Sequence, residues 1–237
     1  MAPLTASALL DLCEKGRVLP PVDRALLLLE VAQPDETSEA LASLPLGWRD
    51  ERLLAFRESS LGPVLEVESR CPACAEHLEL DLQSADLRAV LPPGGPPSAP
   101  REVDLDGARV AFRLPTSQDV RESDDAEDIL RRCVVSMDSE GDEPKPLTPE
   151  ERATLTSAMA GADPLAEIVL DLSCPACTHT WTEVLDVASF LWAELEDWVP
   201  RVVRDVHRLA SAYGWAERDV LGMSAWRRDQ YLSLIDS

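Results

Sequence analysis

The chain of 237 residues carries 22 lysines and arginines against 44 aspartates and glutamates, which gives a formal net charge of −22. A field this negative repels phosphate backbones and anionic lipids, so general nucleic-acid binding and membrane-surface binding are disfavoured. With 45% apolar residues the chain can still bury a sizeable core, which separates it from acidic disordered proteins.

The N-terminal region is predicted to be helical. Its apolar stretch Leu9-Leu10 is interrupted at once by Asp11 and has no basic segment before it, so we expect neither a signal peptide nor a membrane anchor. Pro21 to Glu30 has the composition of a capped, buried helix, and a second helix is expected from Trp48 to Arg57. Gly62-Pro63 then breaks the helical pattern.

The next segment predicts a β-hairpin with a cysteine pair at its tip. Val64 to Glu68 and Leu78 to Leu82 alternate apolar and polar residues with a period of two, which is typical of half-buried strands. Between them lies Cys71-Pro72-Ala73-Cys74, so the turn of the hairpin is a Cys-x-x-Cys motif.

A long insertion follows the hairpin. Leu91 to Pro100 is rich in proline and glycine and is expected to be a flexible or polyproline connector. Asp106-Gly107, between two apolar runs, predicts another hairpin. A short helix is expected from Asp125 to Cys133, an acidic mobile loop at Gly141 to Pro144, and a helix from Pro149 to Met159.

The hairpin and its cysteine pair then recur. Cys174-Pro175-Ala176-Cys177 repeats the first tetrapeptide between Ile168 to Leu172 and Trp181 to Val184, which also alternate. Two such tips facing each other form a zinc ribbon, with four thiolates at tetrahedral corners. Because 99 residues separate Cys74 from Cys174, where an ordinary ribbon has about 15 to 20, this ribbon is split by the insertion.

We therefore expect one structural Zn²⁺ per chain, since a closed shell of four thiolates leaves no position for a substrate. The predicted ligands are Cys71, Cys74, Cys174 and Cys177. Three alternatives stay open: a site shared across a dimer, a redox dithiol, and inert buried thiols. A redox dithiol normally places its first cysteine at the start of a helix, whereas strands flank both pairs here.

The remaining cysteines and the histidines receive simpler interpretations. Cys13 and Cys133 lie in helical patterns and are expected to be small buried hydrophobes, and six cysteines without a secretory signal indicate a reducing compartment. His77 and His179 lie just beyond the two cysteine pairs. Four thiolates already complete a zinc shell, so both histidines are expected at the surface or hydrogen-bonded to a ligand.

The C-terminal region is predicted to be helical and less acidic than the rest. Apolar residues recur with helical spacing before and after Pro200, which starts or kinks the second of two predicted helices. Gly214 is placed as a C-terminal cap, and short helices are expected from Ala216 to Leu221 and from Ser224 to Ile235. From residue 200 onward there are six arginines against five acids.

This region predicts a protein-docking surface, because tryptophan and arginine are enriched at interface hot spots. The candidate partner-binding residues are Trp192, Trp198, Trp215, Trp226, Arg227 and Arg228. A helix-turn-helix that reads DNA is the alternative, but two arginines beside Asp229 do not offset the negative field of the chain.

The predicted fold class is α+β: a split zinc ribbon of two β-hairpins, with N-terminal and C-terminal helical regions and a long, partly flexible insertion. The expected boundaries are 1–62 for the N-terminal helices, 63–83 and 166–184 for the ribbon, 84–165 for the insertion, and 185–237 for the docking region. No glycine-rich phosphate loop, Gly-x-Ser-x-Gly elbow or His-Glu-x-x-His motif is present, so no enzyme activity is expected.

Several short motifs, in order along nearly the whole chain, carry a resemblance to a known family. Besides the two cysteine tetrapeptides they are Pro21 to Glu30, Leu41 to Gly47, Phe112 to Thr116, Arg131 to Cys133, Ala162 to Pro164, Phe190 to Glu194, Val206 to Trp215 and Arg227 to Leu232. With these motifs the chain resembles the T-even phage family of baseplate hub assembly chaperones. That group is also found in gene clusters for contractile phage tails and extracellular contractile injection systems.

The resemblance implies a non-enzymatic assembly factor or a minor component of a baseplate, in a branch of the family that bears zinc knuckles. It implies baseplate or spike proteins as partners, with no nucleic acid and no membrane, and it is compatible with a homo-oligomer. The protein would be made in the bacterial cytoplasm and act there or within a phage-tail-like particle. A zinc-ribbon nucleic-acid binder and a Cys-x-x-Cys redox protein remain the alternatives.

Overall fold

A computed structural model describes residues 4–105, 108–138 and 147–235. The helices in these ranges are α1 (Ala6–Gly16), α2 (Pro21–Ala32), α3 (Ser38–Ala42), α4 (Leu46–Ser60), α5 (Ser84–Arg88), α6 (Ser117–Glu122), α7 (Ala126–Cys133), α8 (Pro149–Ala162), α9 (Val187–Tyr213), α10 (Glu217–Leu221) and α11 (Ala225–Ile235). The strands are β1 (Val64–Arg70), β2 (His77–Gln83), β3 (Arg101–Leu105), β4 (Ala108–Phe112), β5 (Val134–Asp138), β6 (Ile168–Ser173) and β7 (Thr180–Leu185). The predicted α+β class is confirmed.

The strands form three small antiparallel sheets, ordered β1-β2, β3-β4-β5 and β6-β7. The two predicted hairpins that carry the cysteine pairs are β1-β2 and β6-β7, and both are confirmed. β3 and β4 pair on either side of the predicted Asp106-Gly107 turn, which itself lies outside the described residues. The acidic loop predicted at Gly141 to Pro144 also lies outside them.

The main hydrophobic core lies between α1, α2, α4 and α9, with side chains of β1 and β6 packed against it. Leucines at helical spacing form its centre, among them Leu28, Leu53 and Leu195, which are fully buried. Burying one such side chain contributes about 1.5–3 kcal/mol. Arg57 on α4 binds both carboxylate oxygens of Glu194 on α9, at 2.7 Å from Nε and 2.6 Å from Nη2, so a two-pronged ion pair reinforces this contact.

The insertion has a hydrophobic core of its own. Phe112 from β4, Cys133 from α7, and Leu155 and Met159 from α8 are buried together in it. Cys133 is therefore a buried packing residue, as predicted, and Cys13 is likewise buried, in the main core. The third strand of this sheet, β5, was not predicted.

A buried carboxylate joins the insertion to the main core. Asp163, just after α8, accepts a hydrogen bond at Oδ2 from the backbone N–H of Gly47 in the first turn of α4, at 2.9 Å. It thus acts as an N-terminal cap supplied by a distant part of the chain. Burial raises the pKa of Asp163, although the hydrogen bond from Gly47 acts in the opposite direction. A Cβ on Gly47 would lie 1.9 Å from Asp163 Oδ1, so this contact requires glycine.

A second carboxylate orders the start of α6. Asp119 accepts two hydrogen bonds from the Arg113 guanidinium, both at 2.6 Å, and two more from the backbone N–H and hydroxyl of Thr116. Burial alone would raise the pKa of Asp119, but the hydrogen bonds from Arg113 and Thr116 outweigh it and hold the pKa below its usual value. The folded state is therefore stabilised by the ionised form of this carboxyl group.

The long helix α9 contradicts one of the two predictions made for Pro200. α9 runs without interruption through Pro200, so the expectation that Pro200 starts a separate helix is wrong. A proline inside a helix removes one backbone hydrogen bond and costs about 3 kcal/mol. Buried Leu195 before the proline and Val202 and Leu209 after it keep both halves anchored. Gly214 caps the helix in the left-handed conformation, at φ 70°, as predicted.

Candidate metal centre

The first cysteine pair lies in a tight turn between β1 and β2. The N–H of Cys71 donates to the carbonyl of Glu76 at 2.9 Å, and the N–H of Ala75 donates to the carbonyl of Cys71 at 2.8 Å. Ala75 has a left-handed φ of 62°, which is uncommon for a residue with a side chain and costs about 1–2 kcal/mol. Backbone hydrogen bonds, rather than side-chain contacts, therefore fix the conformation of this turn.

The second pair repeats this turn. The N–H of Cys174 donates to the carbonyl of His179 at 2.9 Å, and the N–H of Thr178 donates to the carbonyl of Cys174 at 2.9 Å. Thr178 has a φ of 61°, so the left-handed residue occupies the same place as in the first turn. The two tips are thus equivalent local structures that were built from the same tetrapeptide.

The two tips bring all four sulfur atoms together, within 4.8 Å of one another. Each short distance joins one turn to the other: Cys71 Sγ lies 3.6 Å from Cys177 Sγ, and Cys74 Sγ lies 3.5 Å from Cys174 Sγ. Disulfide sulfurs are about 2.05 Å apart, so these distances are not those of covalent bonds. The four cysteines form one compact cluster although 99 residues separate Cys74 from Cys174.

The dimensions of this cluster fit a metal ion. Four sulfurs at about 2.3 Å from a central Zn²⁺ are about 3.8 Å apart in tetrahedral geometry, close to the 3.5 Å and 3.6 Å observed. Four thiolates are also the donor set typical of structural zinc sites. Cys71 and Cys174 are buried, and Cys74 and Cys177 are exposed, so the cluster lies at the protein surface with one closed side.

The surroundings of the first cysteine pair shift its two thiol pKa values in opposite directions. Burial disfavours the Cys71 thiolate, but hydrogen bonds from the backbone of Cys74 and Ala73 outweigh it and lower its pKa to about 7. A backbone hydrogen bond from Glu76 favours the Cys74 thiolate, yet the neighbouring Cys177 and other sulfurs outweigh it and raise its pKa to about 12. Four thiolates this close together would repel one another, and a bound metal ion would balance their negative charge.

Further contacts join the two hairpins beside the cluster. Glu183 Oε1 on β7 accepts a hydrogen bond from Ser69 Oγ on β1 at 2.8 Å and another from Trp181 Nε1 at 3.1 Å. Leu78 on β2 packs with Cys71 and Cys174, and Trp181 lies against this small apolar group. The hairpins therefore meet through a few polar and apolar contacts in addition to the cysteines.

The two histidines lie at the surface, one of the two positions expected for them. Nε2 of His77 is 3.1 Å from Glu68 Oε2, and the ring of His179 stacks on Trp181. Among the described residues, the four cysteines are the group of cysteine, histidine and acidic side chains that is close enough to share an ion.

The predicted docking residues divide into exposed and buried sets. Trp226 is 72% exposed and Arg227 is exposed too, both at the start of α11. Trp198 and Trp215 are partly buried. Trp192 and Arg228 are buried, with only 3% and 6% of their surface exposed.

Local packing explains why Trp192 and Arg228 are buried. The Trp192 ring fills the space over Gly16, where a Cβ would lie 2.1 Å from the indole, and Arg24 lies over its face at 4.9 Å. Arg228 turns back on the preceding loop, where Nη1 donates to the carbonyl of Met223 at 3.3 Å.

An acidic face on β1-β2 was not predicted. Glu66 lies directly opposite Asp81, and Glu68 lies opposite Glu79, with all four side chains on the exposed face of the hairpin. Like charges placed directly opposite each other destabilise a sheet. The period-two pattern in the sequence contained this information, because the polar positions of both strands are acidic.

The fold and the site together define a class: an α+β protein in which a cluster of four cysteines joins two hairpins and closes a long insertion. The family model described as T4 bacteriophage base plate protein matches residues 27–192. The chain therefore belongs to the T4 bacteriophage base plate protein family. The match includes both cysteine turns and the insertion, whereas α1, α10 and α11 lie outside it.

Neither a curated protein nor a solved structure matches the chain significantly. No helix in the described ranges is long and apolar enough to cross a membrane.

Proposed function

We propose that this protein is a non-enzymatic assembly factor, or a minor structural component, of the baseplate of a contractile phage tail or contractile injection system. The family match over residues 27–192 carries this proposal. A role as a hub assembly chaperone that acts in the bacterial cytoplasm, on baseplate or spike proteins, agrees with the motifs described above. The formal charge of −22 supports a protein partner over a nucleic acid or a membrane surface.

Deletion of the gene tests this role. We expect electron microscopy of the deletion strain to show no intact contractile particles, and the wild-type gene supplied in trans to restore them. Affinity purification of the tagged protein from producing cells should recover a baseplate or spike protein. Intact particles in the deletion strain, together with no such partner in the purification, would contradict the proposal.

We propose further that the four cysteines bind one structural Zn²⁺ per chain. The sulfur distances and the all-thiolate donor set support zinc, and a closed shell supports a structural rather than a catalytic ion. Elemental analysis of the purified protein should find about one zinc per chain. Cys71→Ser should lose it, whereas Cys13→Ser, a matched change outside the cluster, should keep it.

A thiol titration separates zinc binding from redox chemistry. Free dithiols react at once with a thiol reagent, whereas zinc-bound thiolates react only after a chelator is added. We expect the four cluster cysteines to be protected until chelation. Absence of metal, with rapid reaction of both pairs, would support the redox alternative instead.

The exposed face of α11 is the proposed docking surface for the baseplate partner. Trp226 and Leu234 are large apolar side chains that remain mostly exposed, with Arg227 beside the tryptophan. Trp226→Ala should weaken partner capture while leaving the unfolding midpoint unchanged, because the side chain is not packed. Val90→Ser removes an exposed apolar side chain elsewhere and should leave capture intact. Equal capture by both variants would place the docking surface elsewhere.

A further inference from the structure

We infer that the groove between α1, α9 and α10 binds a basic, amphipathic segment of a partner protein. This groove has a volume of about 500 Å³ and lies outside the metal centre and the α11 face. Its floor includes Leu10, Val199 and Val203. Val203 is 51% exposed and the other two are partly buried, so the groove offers apolar contact that no described residue covers.

Three helices contribute carboxylates to the rim of this groove. Asp11 and Glu14 extend from α1, Glu196 from α9 and Glu217 from α10, against one lining cation in the described chain, Arg17. The Glu196 carboxylate is already engaged, by Trp192 Nε1 at 2.7 Å and Arg24 Nη1 at 3.9 Å, so the other three carry the charge of the rim. Among the described residues, no lysine or arginine forms an ion pair with Asp11, Glu14 or Glu217. The rim therefore presents unneutralised negative charge to whatever lies on the floor.

The backbone of α9 adds an acceptor at the same place. Pro200 lines the groove and has no N–H, so the carbonyl of Glu196, one turn earlier, receives no helical hydrogen bond from it. This carbonyl therefore lacks the hydrogen bond that a residue other than proline at position 200 would donate.

The negative charge of the rim indicates which kind of molecule the groove can bind. A nucleic acid or a second copy of this chain, itself at −22, would bring negative charge to a negative rim. A helix with an apolar face flanked by lysines or arginines complements both the floor and the rim, and this helix-in-groove mode is common in peptide recognition. This inference concerns a surface separate from α11 and does not depend on the baseplate role.

The experiment uses the full, metal-loaded protein and a fluorescent synthetic helix of about 18 residues, with leucines at positions i, i+3, i+4 and i+7 and lysines elsewhere. Fluorescence anisotropy measures its affinity. The double variant Glu14→Lys/Glu217→Lys should weaken binding by about tenfold or more. The matched double variant Glu66→Lys/Glu68→Lys changes the net charge equally on the acidic hairpin face, and we expect it to change affinity by less than about twofold.

A second pair of variants tests the apolar floor. Val203→Ser should weaken binding several-fold, whereas Val169→Ser, an equally exposed valine on β6, should not. Unfolding midpoints of the Glu14→Lys/Glu217→Lys, Val203→Ser and Val169→Ser variants should match the wild type, since these changed side chains are exposed. The inference is overturned if the peptide does not bind, if the two charge variants weaken binding equally, or if hydrogen exchange maps the peptide to another face.

Discussion

Metal removal should lower the unfolding free energy of this protein by about 5 kcal/mol. In the folded chain the four sulfurs already lie within 4.8 Å of one another. To form the same four-thiolate site, the unfolded chain must close the 99-residue loop between Cys74 and Cys174. Closing a loop of about 100 residues costs about 4.7 kcal/mol in the chain-entropy model. Folded protein therefore binds the ion more tightly than unfolded protein, and at saturating metal this difference stabilises the fold by linkage.

That amount is a large part of the roughly 5–15 kcal/mol that stabilises a typical domain. At about 2–4 °C per kcal/mol for a chain of this size, chelation should lower the melting temperature by about 10–20 °C. The protein should not unfold completely, because the two large hydrophobic cores contain none of the four sulfurs.

Urea denaturation in the presence of a reductant measures the effect. It should be run on the wild type and on Cys174→Ser, each with saturating zinc and with a chelator. We expect chelation to lower the wild-type midpoint to that of the variant, and to leave the variant unchanged. The reasoning is refuted if zinc and chelator give the same wild-type midpoint, or if chelation destabilises Cys174→Ser equally.

Three further predictions follow from contacts outside the centre. Gly47→Ala should cost about 1–3 kcal/mol in urea denaturation, because its Cβ would lie 1.9 Å from Asp163 Oδ1; an unchanged midpoint would contradict the clash. Glu66→Lys should stabilise the hairpin by about 0.2–1 kcal/mol by facing Asp81 with an opposite charge, and the gain should shrink in high salt. Asp119→Asn should destabilise the protein at neutral pH. The lowered pKa of Asp119 means that its stabilisation is present above the usual carboxyl pKa and is lost as the pH falls through the folded value, so denaturation in acid should show no difference.

The parts of the fold that local sequence patterns encode could be predicted. The alternation on each side of both tetrapeptides gave the two hairpins, and the repeat of the tetrapeptide indicated that Cys71 and Cys174 belong to one cluster. The helix cap at Gly214 could also be predicted, since capping depends on residues within one turn.

Contacts between distant parts of the chain could not be predicted in the same way. β5 is a short strand beside an acidic stretch, and its pairing with β4 depends on the fold of the whole insertion. The cap that Asp163 provides for α4 joins residues 116 positions apart. Trp192 was assigned to a docking surface from its residue type, but Gly16 on another helix has no Cβ and so leaves the space that the indole fills.

The continuous helix α9 has a mechanical consequence. Its 27 residues span about 40 Å. Leu191 and Leu195 fix its first half in the main core, and Leu209 near its other end packs with α10 and α11. A force applied to α11 would therefore be transmitted along α9 to the main core. Bending of α9 under such a force should concentrate at Pro200, beside the acidic groove, because one backbone hydrogen bond of the helix is missing there.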